Sequence, residues 1–386
     1  MDRARQTARA HASRLTGEGI GGVERRLDLR ARGAAVAIVA LGLAARLLAA
    51  RRSFVDPDET LHDWLARPDS FLELYQRSLP DAHPPLFVLL LHFWRPVVKS
   101  GWQLCLLSVA FGTAFLWAAW RWARTLFGET AALATLALLA FLPTVVLVSA
   151  ELRAYPIALF FIASALAALE NGLEKSSPRW IALSGALFTL ALLTDYLALR
   201  FWAGALAYAA VRFVAERRPA VLLRTWAIGQ AAFAAVFVFL YASQISKLRG
   251  SGIEKYAQDD WLRASYLQRG EGALRFVARQ TVSLFQFLFA SPAAAAVAGI
   301  LVLLGIGFLA ARRSPAVILL SVPFGIAVAG GLLRLYPYGG TRHSIDLALF
   351  ACVSLGVALA RLGGNRIGVA LVLAVALFPA ALAAGW

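Results

Sequence analysis

The sequence predicts an all-α, polytopic transmembrane helical bundle, and three observations carry that reading. Mean hydropathy is +0.68, and only 16% of the 386 residues are charged, against roughly 25% in soluble domains. Apolar runs of about 18 or more residues recur along nearly the whole chain, the length at which a helix crosses a bilayer. Basic residues gather in the short stretches between those runs, as they do where a polytopic protein sets its orientation.

From the N-terminus, residues 1–32 hold eight arginines and four acids with no apolar run, which reads as a cytosolic basic tail. The tail is too long and polar for a signal-peptide n-region, so 33–50 is expected to be a retained anchor opening an integral membrane domain over 33–386. Further spans are expected at 102–122, 127–148, 154–170, 180–196, 199–215, 221–242, 284–310, 315–333, 344–361 and 366–385. That makes about eleven, within a range of about ten to thirteen. "PPLFVLLLHFW" (84–94) is shorter than the roughly 20 residues a span needs. It is placed at the outer interface, in a first outer loop, 51–101, that carries interfacial helices. Residues 254–283 alternate charge with aromatic and aliphatic side chains, so the outer loop 243–283 is expected to lie along the membrane surface.

The arginines settle the topology. With a cytosolic N-terminus and no crossing at 84–94, Arg121 and Arg124, Lys175 and Arg179, Arg212, Arg217, Arg218 and Arg224, Arg312 and Arg313, and Arg361 and Arg366 all fall inside. A crossing at 84–94 would put every one of them outside, against the positive-inside tendency. The loop 243–280 runs against the rule, being outside yet carrying Lys247, Arg249, Lys255, Arg263, Arg269, Arg275 and Arg279. The formal charge of +16 is therefore that of loops facing anionic lipid, not of a nucleic-acid binder. Cys105 and Cys352 both lie in apolar runs and make no disulfide framework. Abundant arginine and alanine with few lysines suggest a bacterium with a high-GC genome, so the expected location is the bacterial inner membrane.

On this topology the remaining polar motifs meet on the outer face. "DPDETLH" offers Asp56, Asp58 and Glu59 as candidate general bases, with Pro57 starting a helix and Asp58 and His62 on one face of it. A carboxylate near an apolar boundary has its pKa pushed toward useful values; the plainer reading is a helix cap with solvated charges. In "DAHPPLFVLLLHFW", Asp81 and His83 precede a stiff Pro-Pro pair, where a histidine can meet a phosphate or a divalent metal ion. His92 reads as a packing residue. "SAELRAYP" puts Glu151, Arg153 and Tyr155 at the edge of two spans, where charges are costly enough to suggest function. "YPYGGTRHSIDLALF" follows a Gly-Gly turn with Arg342 and His343, and Arg342 can grip a phosphate bidentately. Arg46, inside the first span, is expected to snorkel outward, and Gln230 and Ser243 to serve packing. No Gly-rich phosphate loop, CxxC pair, HExxH or nucleophile elbow is present, so nucleotide-driven chemistry in a soluble pocket is not expected.

The ordered set "DPDET", "DAHPPLFVLLLHFW", "SAELRAYP" and "YPYGGTRHS" resembles the polytopic glycosyltransferases of the GT-C superfamily. The nearest likeness is the bacterial branch related to protein O-mannosyltransferases and lipid A aminoarabinose transferases, over roughly residues 33–350. The resemblance implies a glycosyltransferase that takes a hexose or pentose from a polyprenyl-phosphate sugar, usually with inversion. The acceptor would be a glycan, lipid or protein outside the cytoplasm. Carried over by motif, Asp58 is the expected base with Glu59 beside it. Arg342, His343 and Arg153 are expected on the donor phosphate. Asp81, His83 and Glu151 are expected at substrate or a metal ion, with no cofactor fixed. The rival reading is a polytopic transporter or lipid flippase, which explains the spans equally well. Transporters, however, place ionisable groups near the midplane and show paired repeats, whereas here the charges collect at one boundary.

Overall fold

The computed structural model describes residues 29–52, 57–79, 81 and 83–362. The basic tail up to residue 28, Asp56 and the expected last span at 366–385 lie outside the described residues. All regular elements among those described are helical. Six helices are long and apolar enough to cross a membrane, or seven if one bent pair counts as a span.

The long helices are α1 (Leu29–Arg52), α5 (Gly101–Phe127), α8 (Tyr155–Glu174), α10 (Ala198–Ala215), α11 (Ala220–Leu248) and α13 (Pro292–Ala311). The bent pair is α6 (Glu129–Phe141) and α7 (Pro143–Ala150). Shorter apolar helices complete the bundle: α9 (Pro178–Thr194), α14 (Ala316–Leu332) and α15 (Leu347–Leu362). Helix α8 lies centrally between α5 and α9, while α15 packs between α6 and α13. Small residues permit these close crossings. A Cβ on Gly305 of α13, for instance, would collide with the Ser354 carbonyl of α15.

Between α1 and α5 the chain forms two amphipathic helices, α2 (Pro57–Leu65) and α3 (Phe71–Ser78), and then α4 (Leu86–Trp94). With its trailing 3₁₀ turn, α4 reaches Val97. At 1.5 Å per residue it spans about 18 Å, short of the roughly 30 Å hydrocarbon core. The expected non-crossing of 84–94 is what such a length allows.

Two expected spans are broken, each for a local reason. The run 127–148 bends by 58° between α6 and α7. Pro143 has no N–H and forces Leu142 into an extended conformation (ψ 117°). The carbonyl of Leu139 thereby loses its helical partner, and Arg46 supplies a substitute. Its guanidinium donates to Leu139 O, Ala140 O and Gly42 O, each at 3.1 Å. Arg46 is fully buried, so the expected snorkelling is corrected: the charge stays inside because orphaned carbonyls are there to receive it.

The run 284–310 is likewise two helices, α12 (Ala273–Phe289) and α13. Ala290 adopts the left-handed conformation (φ 56°) that ends helices. Ser291 and Pro292 then supply an N-cap and a first-turn proline, with the Ser291 hydroxyl accepting from Ala294 N–H. Hydropathy alone does not register such a cap.

Candidate active site

The site is built around the first turn of α2. Pro57 starts this helix, and Asp58 and Glu59 occupy its positive end. Glu59 is buried, and its Oε1 accepts from Leu152 N–H at 2.7 Å. One turn later, His62 Nδ1 lies 3.2 Å from Leu152 O. Both backbone polar groups of Leu152 are thus held by α2. Donation from Nδ1 assigns the His62 proton to that nitrogen and leaves Nε2 bare. Ser108 of α5 fixes the next residue, donating to Arg153 O at 3.0 Å and accepting from Arg153 N–H at 3.2 Å.

These clamps aim Arg153 at Asp58. Arg153 Nη1 donates to Asp58 Oδ2 at 3.0 Å, while Arg342, 284 positions further along the chain, forms a short charged hydrogen bond to the same oxygen. Burial alone would raise the Asp58 pKa, but the two guanidiniums outweigh it and hold the carboxyl below the usual carboxylate range. The Asp58 side chain remains 47% exposed, so the charged centre opens outward. Glu151 Oε2 lies 3.5 Å from Arg153 Nε on the same rim.

Arg342 follows the Gly339–Gly340 turn, and both glycines are there for close approach. Gly339 has φ 128°, and a Cβ on it would strike the Gln280 side chain; one on Gly340 would strike Ser283 of α12. The turn therefore lies flat on α12, and Arg342 emerges with its guanidinium 5.5 Å from the Trp261 ring centroid. His343 sits among Tyr155, Tyr336 and Trp261, with ring centroids 5.6–6.2 Å away. Burial, then His83, Arg342 and other nearby cations, lower its pKa to about 3. His343 is thus neutral at pH 7 and offers a hydrogen bond rather than a charge.

A second group adjoins the first. The ligand atoms of His62, Asp81 and His83 lie within 4.8 Å of one another. Burial lowers the His62 pKa to about 4, so its bare Nε2 is available at neutral pH. Two imidazoles and a carboxylate, one imidazole oriented by a backbone carbonyl, suit a zinc-like cation. Burial opposes charge on His83, but Asp81 and Asp195 raise its pKa above the ordinary value. The loop that carries Asp81 and His83 is held by Gln244 of α11, whose Nε2 donates to Ser78 O (3.1 Å), Asp81 O (2.6 Å) and His83 O (2.9 Å). Gln244 lies in a π-helical turn, Tyr241–Ile245, a distortion that often marks functional sites.

The structure therefore brings Asp58, Glu151, Arg153, Arg342 and His343 to one rim, with Asp81, His83 and His62 beside them. Glu59 lies beneath the rim as a clamp on Leu152. Sequence reasoning missed Gln244, Arg200 and Asp346. Arg200 of α10 is buried, donates to His343 O at 2.9 Å and pairs with buried Asp346 at 3.0 Å. An arginine three residues inside an apolar helix was the available signal. His92 bonds Ala66 O and Gln230 bonds the Trp202 indole, both within packing as expected.

The family model for dolichyl-phosphate-mannose-protein mannosyltransferases matches residues 82–242, under half of the chain. No curated protein matches the chain. Among solved structures, ArnT from Cupriavidus metallidurans in the apo state is 18% identical, with a TM-score of 0.57 over 89% of this chain and 64% of that one. ArnT bound to undecaprenyl phosphate aligns at 18% identity and a TM-score of 0.55, over 88% of this chain and 63% of that one. The Archaeoglobus fulgidus oligosaccharyltransferase in complex with Zn and sulfate aligns at 15% identity and a TM-score of 0.58, over 90% of this chain and 52% of that one. The chain spans between about half and just under two thirds of these structures. It shares the fold of both proteins.

Proposed function

We propose that the protein is a membrane glycosyltransferase that moves a sugar from a polyprenyl-phosphate donor to an acceptor hydroxyl at the outer face of a bacterial inner membrane. The observation that carries this reading is Asp58 held between two guanidiniums delivered from remote loops. The donor's tail is insoluble, so its phosphate must meet the protein at the membrane boundary. Arg342 and Arg153 are the groups suited to receive it. A cavity of about 550 Å³ runs between α12, α13 and α14, lined by Phe285, Ile300, Leu303, Phe324, Val328 and by Tyr338, four residues before Arg342. Its apolar walls fit an isoprenoid chain.

A donor phosphate draws the guanidiniums toward itself, which frees Asp58 and restores its basicity. Asp58 then takes the proton from the acceptor hydroxyl as that oxygen attacks the anomeric carbon opposite the phosphate. The carbon–oxygen bond to phosphate breaks, and its electron pair leaves on the phosphate, stabilised by Arg342 and Arg153. Glu59 acts by holding Leu152, and with it Arg153, in place. His62, Asp81 and His83 are the residues that would hold a divalent cation, which when bound supplies positive charge next to the leaving phosphate. ArnT with undecaprenyl phosphate supports the donor class.

The test is transfer of radiolabel from polyprenyl-phosphate sugars to an acceptor by purified protein, with and without chelator. Asp58→Asn should lower turnover by roughly 10²–10⁴-fold while donor binding persists. Turnover within a few fold of the wild type would refute Asp58 as the base. Label carried across the bilayer without leaving the lipid would instead identify a transporter.

A further inference from the structure

Behind the charged rim lies a group of buried polar atoms that the chemistry above does not use. Asp195, between α9 and α10, is 2% exposed, and its Oδ1 accepts from Leu197 N–H at 2.9 Å. Its other oxygen, Oδ2, is buried without a hydrogen bond, 3.8 Å from His83 Nε2. Arg200 is 5% exposed; its Nη2 serves His343 O and Asp346, while Nη1 is buried without a partner. His343 Nδ1 lies 3.2 Å from the Tyr155 hydroxyl, and Nε2 is buried and unpartnered. With Tyr155 donating to Nδ1, the neutral ring carries its proton on Nε2.

These residues are contiguous. The Arg200 guanidinium lies 4.9 Å from the Tyr336 ring centroid, Tyr336 faces His343, and His343 and His83 both face Tyr155. His83, Tyr336 and His343 are each partly exposed, so the group borders accessible surface, with Asp195 and Arg200 as its buried members. A buried polar atom without a partner is costly, and three in one ring call for a common partner. That partner must accept from Arg200 and His343 and donate to Asp195. A hydroxyl does both, and several hydroxyls on one small frame do so at once.

We propose that Asp195, Arg200 and His343 form the pocket that binds the sugar ring of the donor and selects it by its hydroxyl pattern. This assignment rests on the donor class proposed above and adds residues that act on the sugar rather than on the phosphate. Charge neutralisation at Arg342 and Arg153 holds any polyprenyl phosphate; the inner ring distinguishes a loaded lipid from a spent one.

The test compares two kinds of probe on full-length protein in detergent: undecaprenyl phosphate alone, and undecaprenyl phosphate carrying mannose, glucose or galactose. For wild type, at least one sugar-bearing lipid should bind 10-fold or more tighter than the bare lipid. Asp195→Asn keeps the size of the side chain and removes the charge from an oxygen with no protein hydrogen bond. It should erase that preference while affinity for the bare lipid stays within twofold. Arg200→Gln should do the same, and if loss of its Asp346 pairing prevents folding, Asp195→Asn decides alone. A preference that survives Asp195→Asn, as expected if the three atoms merely bind buried water, overturns the pocket. So does the absence of any sugar preference in wild type while the bare lipid binds, an outcome that leaves the donor-phosphate reading standing. Failure of every probe, the bare lipid included, sinks the donor reading and the pocket with it.

Discussion

His343 changes its meaning between sequence and structure. Beside Arg342 it is expected on the donor phosphate, yet burial and its charged neighbours lower its pKa to about 3. An unfolded histidine titrates near 6.5. Between those limits the unfolded chain binds the extra proton, so His343 removes stability as pH falls from about 6.5, by roughly 1 kcal/mol per pH unit. Buried Asp195 and Asp346 have raised pKa values and act in the opposite sense at mildly acidic pH. The effect should therefore be read as a difference: His343→Gln should lose less thermal stability in detergent than wild type on acidification from pH 6.5 to 4.5. Equal losses would show that the imidazole is free to charge. The acids and arginines of the rim were legible because each is conspicuous in an apolar chain. What a sequence leaves undecided is pairing, because Asp58 with Arg342, and His62 with Leu152, depend on which loops the helix lengths bring together.

Helix breaks show the same division. Leu142–Pro143 announces a bend, but nothing local says which residue will satisfy the carbonyls it frees. Arg46 does so from a helix more than ninety positions away, and snorkelling was the reasonable alternative while that partner was unknown. Replacing Arg46 with Met should destabilise the fold by about 1–3 kcal/mol through the unsatisfied Leu139 and Ala140 carbonyls. Adding Pro143→Ala, which returns an N–H to Leu139, should recover part of the loss in a thermal-unfolding assay. Additive losses in the double variant would separate the arginine from the bend. The Ala290–Ser291 break was less legible, because an apolar sequence continues straight through it and only the Ser-Pro pair marks the new helix start.

Across the whole molecule, the distribution of arginine proposes a topology, while hydropathy placed the helices but not all of their ends. The outer loop 243–280 remains the exception, with Lys247, Arg249, Lys255, Arg263, Arg269 and Arg275 all exposed. Its orientation can be measured cleanly, because both native cysteines are buried. A Lys255→Cys variant should react with a membrane-impermeant maleimide added to spheroplasts, and an Arg217→Cys variant only after permeabilisation; the reverse pattern would invert the proposed topology. The architecture shared with the solved structures was legible from the order of the motifs; of the inner polar ring, His343 was legible beside Arg342, whereas Arg200 was not, since it stands alone inside an apolar helix. The pairing at the rim also has a kinetic corollary. On the proposed mechanism, an acceptor that arrives before the donor meets a carboxylate already engaged by two cations and unable to take its proton. Addition is then sequential, with the lipid-linked sugar first and the acceptor hydroxyl second, and the protein stays idle until a loaded carrier is aboard.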